Sequence, residues 1–247
     1  MLLLENSTWI FIVILPLVAF MYASVGHGGA SGYLALMALF SFSPELMKPT
    51  GLLLNLFVSG ISFYHFWKSG YFKHRLFFGF SIGSIPLAFL GGRFDIDTSL
   101  YKIILGILLL FAILKMINII GKESQTTKPV NTSIAVVTGA FIGFFSGLIG
   151  IGGGIILSPI ILLLNWGNAK EAAAVSALFI WVNSAAGITG QYSNGIQLNE
   201  HIWVFVFVAL VGGYFGAYIG SKHLNNKSLK TLLAFVLLLA SIKLFFF

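Results

Sequence analysis

The chain contains no cysteine. That excludes disulfides, thiol chemistry and cysteine-held metals, and it leaves the redox compartment unmarked. Charge is scarce: 9% of the 247 residues are Asp, Glu, Lys or Arg, against roughly 25% in soluble domains. Acid is scarcest of all. Glu5, Glu45, Asp95, Asp97, Glu123, Glu171 and Glu200 are the complete set, and each falls between apolar runs or at their ends. A cation carrier or a carboxylate proton relay places an acid within the membrane, so this distribution argues against cationic cargo. Nucleotide chemistry is missing too. There is no Gly-Lys-Ser/Thr phosphate loop, and the glycine runs have no preceding strand or acid about 20 residues on. With no paired nucleophile and base and no metal set, the sequence predicts a protein that is not an enzyme and that carries no cofactor and no metal.

What is present is hydrophobic. Apolar residues make up 58% of the chain, and the mean hydropathy is +0.97. Such a chain has lipid as its solvent, which predicts a multi-pass protein of the cell membrane. The net charge of +7 comes from 14 Lys and Arg against 7 Asp and Glu. These basic residues sit in short loops, where they orient membrane helices, so nucleic acid is not an expected partner. Residues 1–25 lack a basic leader and run into a motif that returns later in the chain, so they read as a retained first span.

That motif is a glycine run inside apolar sequence. Gly26-His27-Gly28-Gly29-Ala30 and Gly150-Ile151-Gly152-Gly153-Gly154 lie 124 positions apart, about half the chain. Apolar runs fall at 9–25, 31–42, 52–67, 76–91 and 100–120, and again at 134–148, 155–166, 172–188, 202–220 and 229–247. Several are shorter than the ~20 residues of a full helical span, notably those beside the glycine runs. The spacing predicts an all-α polytopic fold of two repeats, 1–120 and 134–247, joined by a polar linker at 121–133. Each repeat holds about five helical segments and a glycine-broken, re-entrant-like hairpin.

Charge counting selects the topology. If each glycine run turns the chain back, one face collects Lys68, Lys73, Arg75, Lys115, Lys122, Lys128, Lys170, Lys222, Lys227 and Lys230, ten in all. The other face keeps four: Lys48, Arg93, Lys102 and Lys243. If each run is only a kink, the split is seven against seven. The positive-inside rule favours the first arrangement. Five segments per half then place the halves upside down relative to each other, with both termini outside.

The same runs supply a candidate site. Glycine lets backbone N–H groups converge on a ligand, and a half-helix starting there adds the positive end of its dipole. Anion binding at Gly26, His27, Gly28, Gly29, Ala30, Ser31, Gly150, Gly152, Gly153, Gly154 and Ile155 is therefore expected, with Asn55 and Asn183 as side-chain contacts within spans. His27 can donate to an anion or carry a proton. Ser184 also lies within a span, and Ser31, Thr50, Ser59, Ser62, Ser158, Ser176 and Thr189 are weaker candidates, since hydroxyls can bond their own helix backbone. His65, His74, His201 and His223 lie near span ends and read as interfacial, and Trp181 reads as facing the pathway. The series Gly139, Gly143, Gly147 and Gly212, Gly216, Gly220 read as helix-packing faces. A proton and a second copy of the chain are admissible partners beside the anion and the bilayer.

The glycine hairpins resemble those of the TauE/SafE family of sulfite and organosulfonate exporters. So do Thr50-Gly51, Val175-Ser176, and the paired glycines Gly83, Gly91 and Gly212, Gly220. Here His27 and Ala30 stand where the pattern usually has an apolar residue and a glycine. The resemblance implies a membrane transporter that moves a small anion, sulfite or a sulfonate, between two inverted repeats. The alternative is a non-transporting membrane assembly subunit whose glycines only pack helices.

Overall fold

A computed structural model describes residues 6–40, 42, 44–94, 127–193, 195, 202–229, 231–232, 234–235 and 238. Every regular element among the described residues is a helix: α1 (Asn6–Ser24), α2 (Ala30–Leu39), α3 (Pro44–Lys68), α4 (His74–Gly92), α5 (Thr132–Ile149), α6 (Gly154–Leu163), α7 (Ala169–Tyr192) and α8 (Ile202–Lys222), followed by a short turn at 226–229. Five of these, α3, α4, α5, α7 and α8, are long and apolar enough to cross a membrane. α2 and α6 have ten residues each and rise only about 15 Å, half a bilayer core. The expected segment 100–120, most of 229–247, the first six residues of the 121–133 linker and His201 lie outside the described residues.

The glycine runs break the chain as the spacing predicts, and they do so bond for bond. α1 ends with Gly26 at φ +78° and His27 N–H donating to Tyr22 O at 2.9 Å. α5 ends with Gly150 at φ +85° and Ile151 N–H donating to Ser146 O at 3.3 Å. Both are left-handed helix stops in which the residue after the glycine satisfies a last-turn carbonyl. The restarts match as well: Tyr33 N–H donates to Gly29 O at 2.9 Å, and Leu157 N–H to Gly153 O at 3.1 Å. Each of these pairs is separated by the same 124 positions as the motif itself.

Other boundaries have local causes that apolar counting misses. α7 starts at Ala169, three residues before its apolar run, because Asn168 and Glu171 form a capping box. Asn168 Oδ1 accepts from the N–H groups of Lys170 and Glu171, and Glu171 Oε2 accepts from Asn168 N–H, all at 3.0 Å. α3 begins at Pro44, which suits a first helical turn because that turn needs no N–H. Its polar residues Glu45 and Lys48 precede the apolar stretch.

Packing exchanges helices between the halves. α4 lies on α5, α1 on α8, and α3 on α7. The two glycine series line the first two contacts, and both partners lie within this chain. A β-carbon on Gly139, Gly143 or Gly147 would strike the backbone of Phe80, Ser84 or Ala88 of α4. One on Gly212, Gly216 or Gly220 would strike Pro16, Phe20 or Ser24 of α1. Residue numbers rise together across both contacts, so each couple runs parallel. α3 and α7 run antiparallel, with Gly60 beside Trp181 and Leu52 beside Gly187.

Loop contacts settle the grouping of charges for the described residues. Lys73 Nζ pairs with Glu171 Oε1 at 3.0 Å. Lys170 Nζ donates to Tyr71 Oη at 3.2 Å and to Ser221 O at 3.1 Å. Lys128 N–H donates to Asn165 O at 2.7 Å. Lys68, Lys73, Arg75, Lys128, Lys170, Lys222 and Lys227 therefore share one face. Lys48 Nζ donates to Phe94 O at 3.3 Å, which joins the start of α3 to the end of α4 at the other face. A simple kink at each motif would have put Lys170, Lys222 and Lys227 opposite Lys73. Lys102, Lys115, Lys122, Lys230 and Lys243 lie outside the described residues.

Candidate functional site

The two glycine breaks meet in the interior. All residues from Gly26 to Ser31 and from Gly150 to Ile155 are buried. Gly26 closes on the backbone of Ala173 in α7, and the carbonyl of Gly150 comes close to Gly51 in α3. The His27 ring sits against Gly154: a β-carbon there would be 3.3 Å from His27 Cδ2. Across the same join, His27 Nε2 lies 3.0 Å from Ser158 Oγ in α6, and Ser158 Oγ donates to Ser176 Oγ in α7 at 2.7 Å.

Asn55 is the hinge of the arrangement. Its Oδ1 accepts from Ala30 N–H at 2.9 Å, which caps the start of α2. Its Nδ2 is buried without a partner and points toward the second glycine run. A β-carbon on Gly152 would meet Asn55 Nδ2 at 2.7 Å, Ile180 Cγ2 at 2.7 Å and Ser184 Oγ at 2.9 Å. Gly152 is at φ +72°, so a side chain is excluded by conformation as well as by space. Ser184 Oγ is likewise buried and unpartnered, as is Ser59 Oγ on α3.

The backbone adds donors. Among the described residues, the N–H groups of Gly28, Gly29, Gly152 and Gly153 find no acceptor. They stand at the starts of α2 and α6, where the first N–H groups have no intrahelical partner and the helix dipoles are positive. Donors thus outnumber acceptors, and among the described residues no ion pair reaches the two runs. Converging N–H donors of this kind are the chemistry that suits an oxyanion.

The remaining candidates divide. Ser31 Oγ lies 2.8 Å from Tyr22 Oη, which ties α2 to α1. Asn183 is buried, but its Nδ2 donates to Phe179 O in its own helix at 2.7 Å, leaving Oδ1 unpartnered. Tyr33 was missed by sequence reasoning. It is fully buried with an unpartnered hydroxyl, and its ring folds back over Gly29, whose β-carbon would lie 2.7 Å from Tyr33 Oη. Its place four residues after Gly29, one helical turn, is the signal that could have found it. His65 stands in the last turn of α3, near the span end, and is 7% exposed, packed against the rings of Tyr214 and Tyr218. One expectation needs correction. Trp181 is 42% exposed and lies outward beside Gly60, not on an inner pathway.

Comparison with known proteins gives the family. The family model "Sulfite exporter TauE/SafE" matches residues 10–244. "Probable membrane transporter protein y4hK" of Sinorhizobium fredii is 37% identical over 233 residues, covering 92% of this chain and 94% of that protein. "Probable membrane transporter protein YunE" of Bacillus subtilis is 28% identical over 118 residues, covering 46% of this chain and 41% of that protein. No solved structure matches the chain. With apolar spans throughout and a family match over nearly its whole length, the chain belongs to the TauE/SafE sulfite exporter family and is a multi-pass membrane transporter.

Proposed function

We propose that this transporter carries a small oxyanion, sulfite or an organosulfonate, at the junction of its two glycine breaks. The chain is then two inverted repeats, 1–120 and 134–247, with the linker 121–133 between them. Three features support the inversion: the matched helix stops and restarts, the exchange of first and fourth helices between halves, and the antiparallel crossing of α3 and α7. The positive-inside rule makes the face of Lys73 and Lys170 cytoplasmic. Gly28, Gly29, Gly152 and Gly153 offer amide hydrogens, with Asn55 Nδ2 and the hydroxyls of Ser59 and Ser184 beside them. The protein contributes binding and passage and no bond-breaking chemistry. Because the site residues are buried, the anion enters only when helices part, which fits alternating access.

One observation carries this reading. Asn55 Nδ2 and Ser184 Oγ, buried and unpartnered, converge on Gly152 between two helix N-termini. Unsatisfied polar groups inside a membrane are costly and are kept where a ligand uses them. The test is thermal stabilisation of the purified full-length protein by sulfite and by methanesulfonate, with sodium and choline chloride as cation controls. The reading expects a rise in Tm with both oxyanions that Ser184→Val diminishes. If neither oxyanion moves the Tm, the glycine runs only pack helices and the reading fails.

A further inference from the structure

We infer that His27 takes up one proton with each bound anion, so that the site holds an anion and a proton together; this rests on the oxyanion reading above.

The tautomer follows from the hydrogen-bond chain. Ser158 Oγ donates its one proton to Ser176 Oγ. The 3.0 Å contact between His27 Nε2 and Ser158 Oγ is therefore a donation from Nε2–H. Nδ1 of the neutral ring is then a bare acceptor, and it is buried with no partner. It is an acceptor beside the N–H donors of the two glycine runs.

Its surroundings set when it is protonated. His27 lies three residues before the start of α2 and packs on Gly154, the first residue of α6. The closing end of α1 meets the two helix starts here, so the dipoles partly cancel, and a buried imidazolium has no anionic counter-charge while the site is empty. The ring meets Ser158 and Gly154 of α6, and Ser176 of α7 stands behind Ser158. No carboxylate stands among them. Of the ammonium groups on the packed elements, Lys170 at the start of α7 is engaged by Tyr71 and Ser221, and Lys48 of α3 runs beside Gly150 in the other break. Once an anion sits against the glycine amides, its charge reverses the balance and favours the cation at Nδ1. A solvent proton then binds the Nδ1 lone pair to give the imidazolium, and no covalent bond to the anion is made or broken. Linkage makes the effect reciprocal: a proton on His27 tightens the anion by the factor by which the anion tightens the proton.

Methanesulfonate is the probe, because it carries no titratable proton near neutral pH. Calorimetric titration of the full-length protein in buffers of different ionisation heat counts the protons taken up per anion bound. Wild type is expected to take up close to one, with affinity rising by up to about tenfold for each pH unit lowered. His27→Gln is expected to take up none. Ser158→Ala keeps the imidazole but removes the acceptor for Nε2–H, so the pH of half-maximal uptake should move down; it answers the question even if His27→Gln does not fold. Binding by wild type without proton uptake overturns the inference and leaves the oxyanion reading standing. So does unchanged uptake in His27→Gln, or an unmoved midpoint in Ser158→Ala. Failure of methanesulfonate and sulfite to bind at any pH removes both.

Discussion

Asn55 performs two tasks with two atoms, and substitution can separate them. Its Oδ1 caps α2 through Ala30 N–H at 2.9 Å; its Nδ2 faces Gly152. Asn55→Ala removes both. It leaves the Ala30 N–H unsatisfied at a buried helix start, which costs roughly 1–3 kcal/mol and lowers Tm by roughly 2–10 °C. Asn55→Asp keeps the acceptor and replaces the donor with negative charge. A carboxylate at a helix N-terminus gains about 0.3–1 kcal/mol, and the free glycine amides offset much of its desolvation. The variant is therefore expected to be as stable as wild type, or nearly so, with a tethered anion in the site. An incoming oxyanion about 4 Å away would meet like-charge repulsion of about 4 kcal/mol at an effective dielectric of 20, a loss of about a thousandfold in affinity. The assay is Tm of the purified protein with and without sulfite. The reasoning is refuted if Asn55→Asp responds to sulfite as wild type does, or if Asn55→Ala matches wild-type stability.

Further outcomes follow from glycine geometry and from the missing cysteines. Gly152→Ala and Gly70→Ala both force an L-residue to positive φ, near +72° and +82°, at about 1–2 kcal/mol each. Only Gly152→Ala also strikes Asn55 and Ser184, whereas nothing lies within 4 Å of Gly70, so only Gly152→Ala should abolish stabilisation by sulfite. Gly143→Ala and Gly216→Ala each push a β-carbon into the backbone of a neighbouring helix and should cost about 1–3 kcal/mol by overpacking, read as a fall in Tm; an unchanged Tm in both would mean that the α4–α5 and α1–α8 contacts are looser than described. Because the chain has no cysteine, single cysteines can be placed without background. Impermeant thiol reagent should label Arg75→Cys and Lys227→Cys from one side and Arg93→Cys from the other, and labelling of Arg75→Cys and Lys227→Cys from opposite sides would contradict the topology.

Much of the fold was legible because lipid imposes simple rules. Helix existence, the breaks at Gly26 and Gly150 and the sorting of basic loops followed from hydropathy, glycine and Lys/Arg position. Boundaries were less legible where polar chemistry extends a helix past its apolar run, as the Asn168–Glu171 capping box does for α7. In the site, the glycine runs and Asn55 could be read because their residue types are rare inside spans. The division of Asn55 into a cap and a free donor could not, since it depends on which helix lies opposite. Asn183 shows the converse: an intramembrane amide looks the same in sequence whether it turns to the centre or, as here, to Phe179 O of its own helix. Tyr33 and Trp181 were misjudged for one reason, that aromatic residues give no sequence signal of inward or outward direction in a span hydrophobic on all sides.

The exchange of helices explains why one glycine device recurs. A ten-residue half-helix such as α2 or α6 exposes its start in the middle of the bilayer, where no water covers it. In the first half, Asn55 caps Ala30 but Nδ2 turns to Gly152 of the second. Ser158 of α6 in turn receives His27 from the first break. The α1–α8 and α4–α5 couples, backbone against backbone along glycine stripes, then fasten each hairpin to the opposite half. Each break thus meets residues of the other half as well as its own, so the two N-terminal ends are brought together by the same contacts that hold the halves. In the proposed site, binding and folding share one set of groups: the donors left over at Gly28, Gly29, Gly152 and Gly153 lie at the junction that the two halves build together.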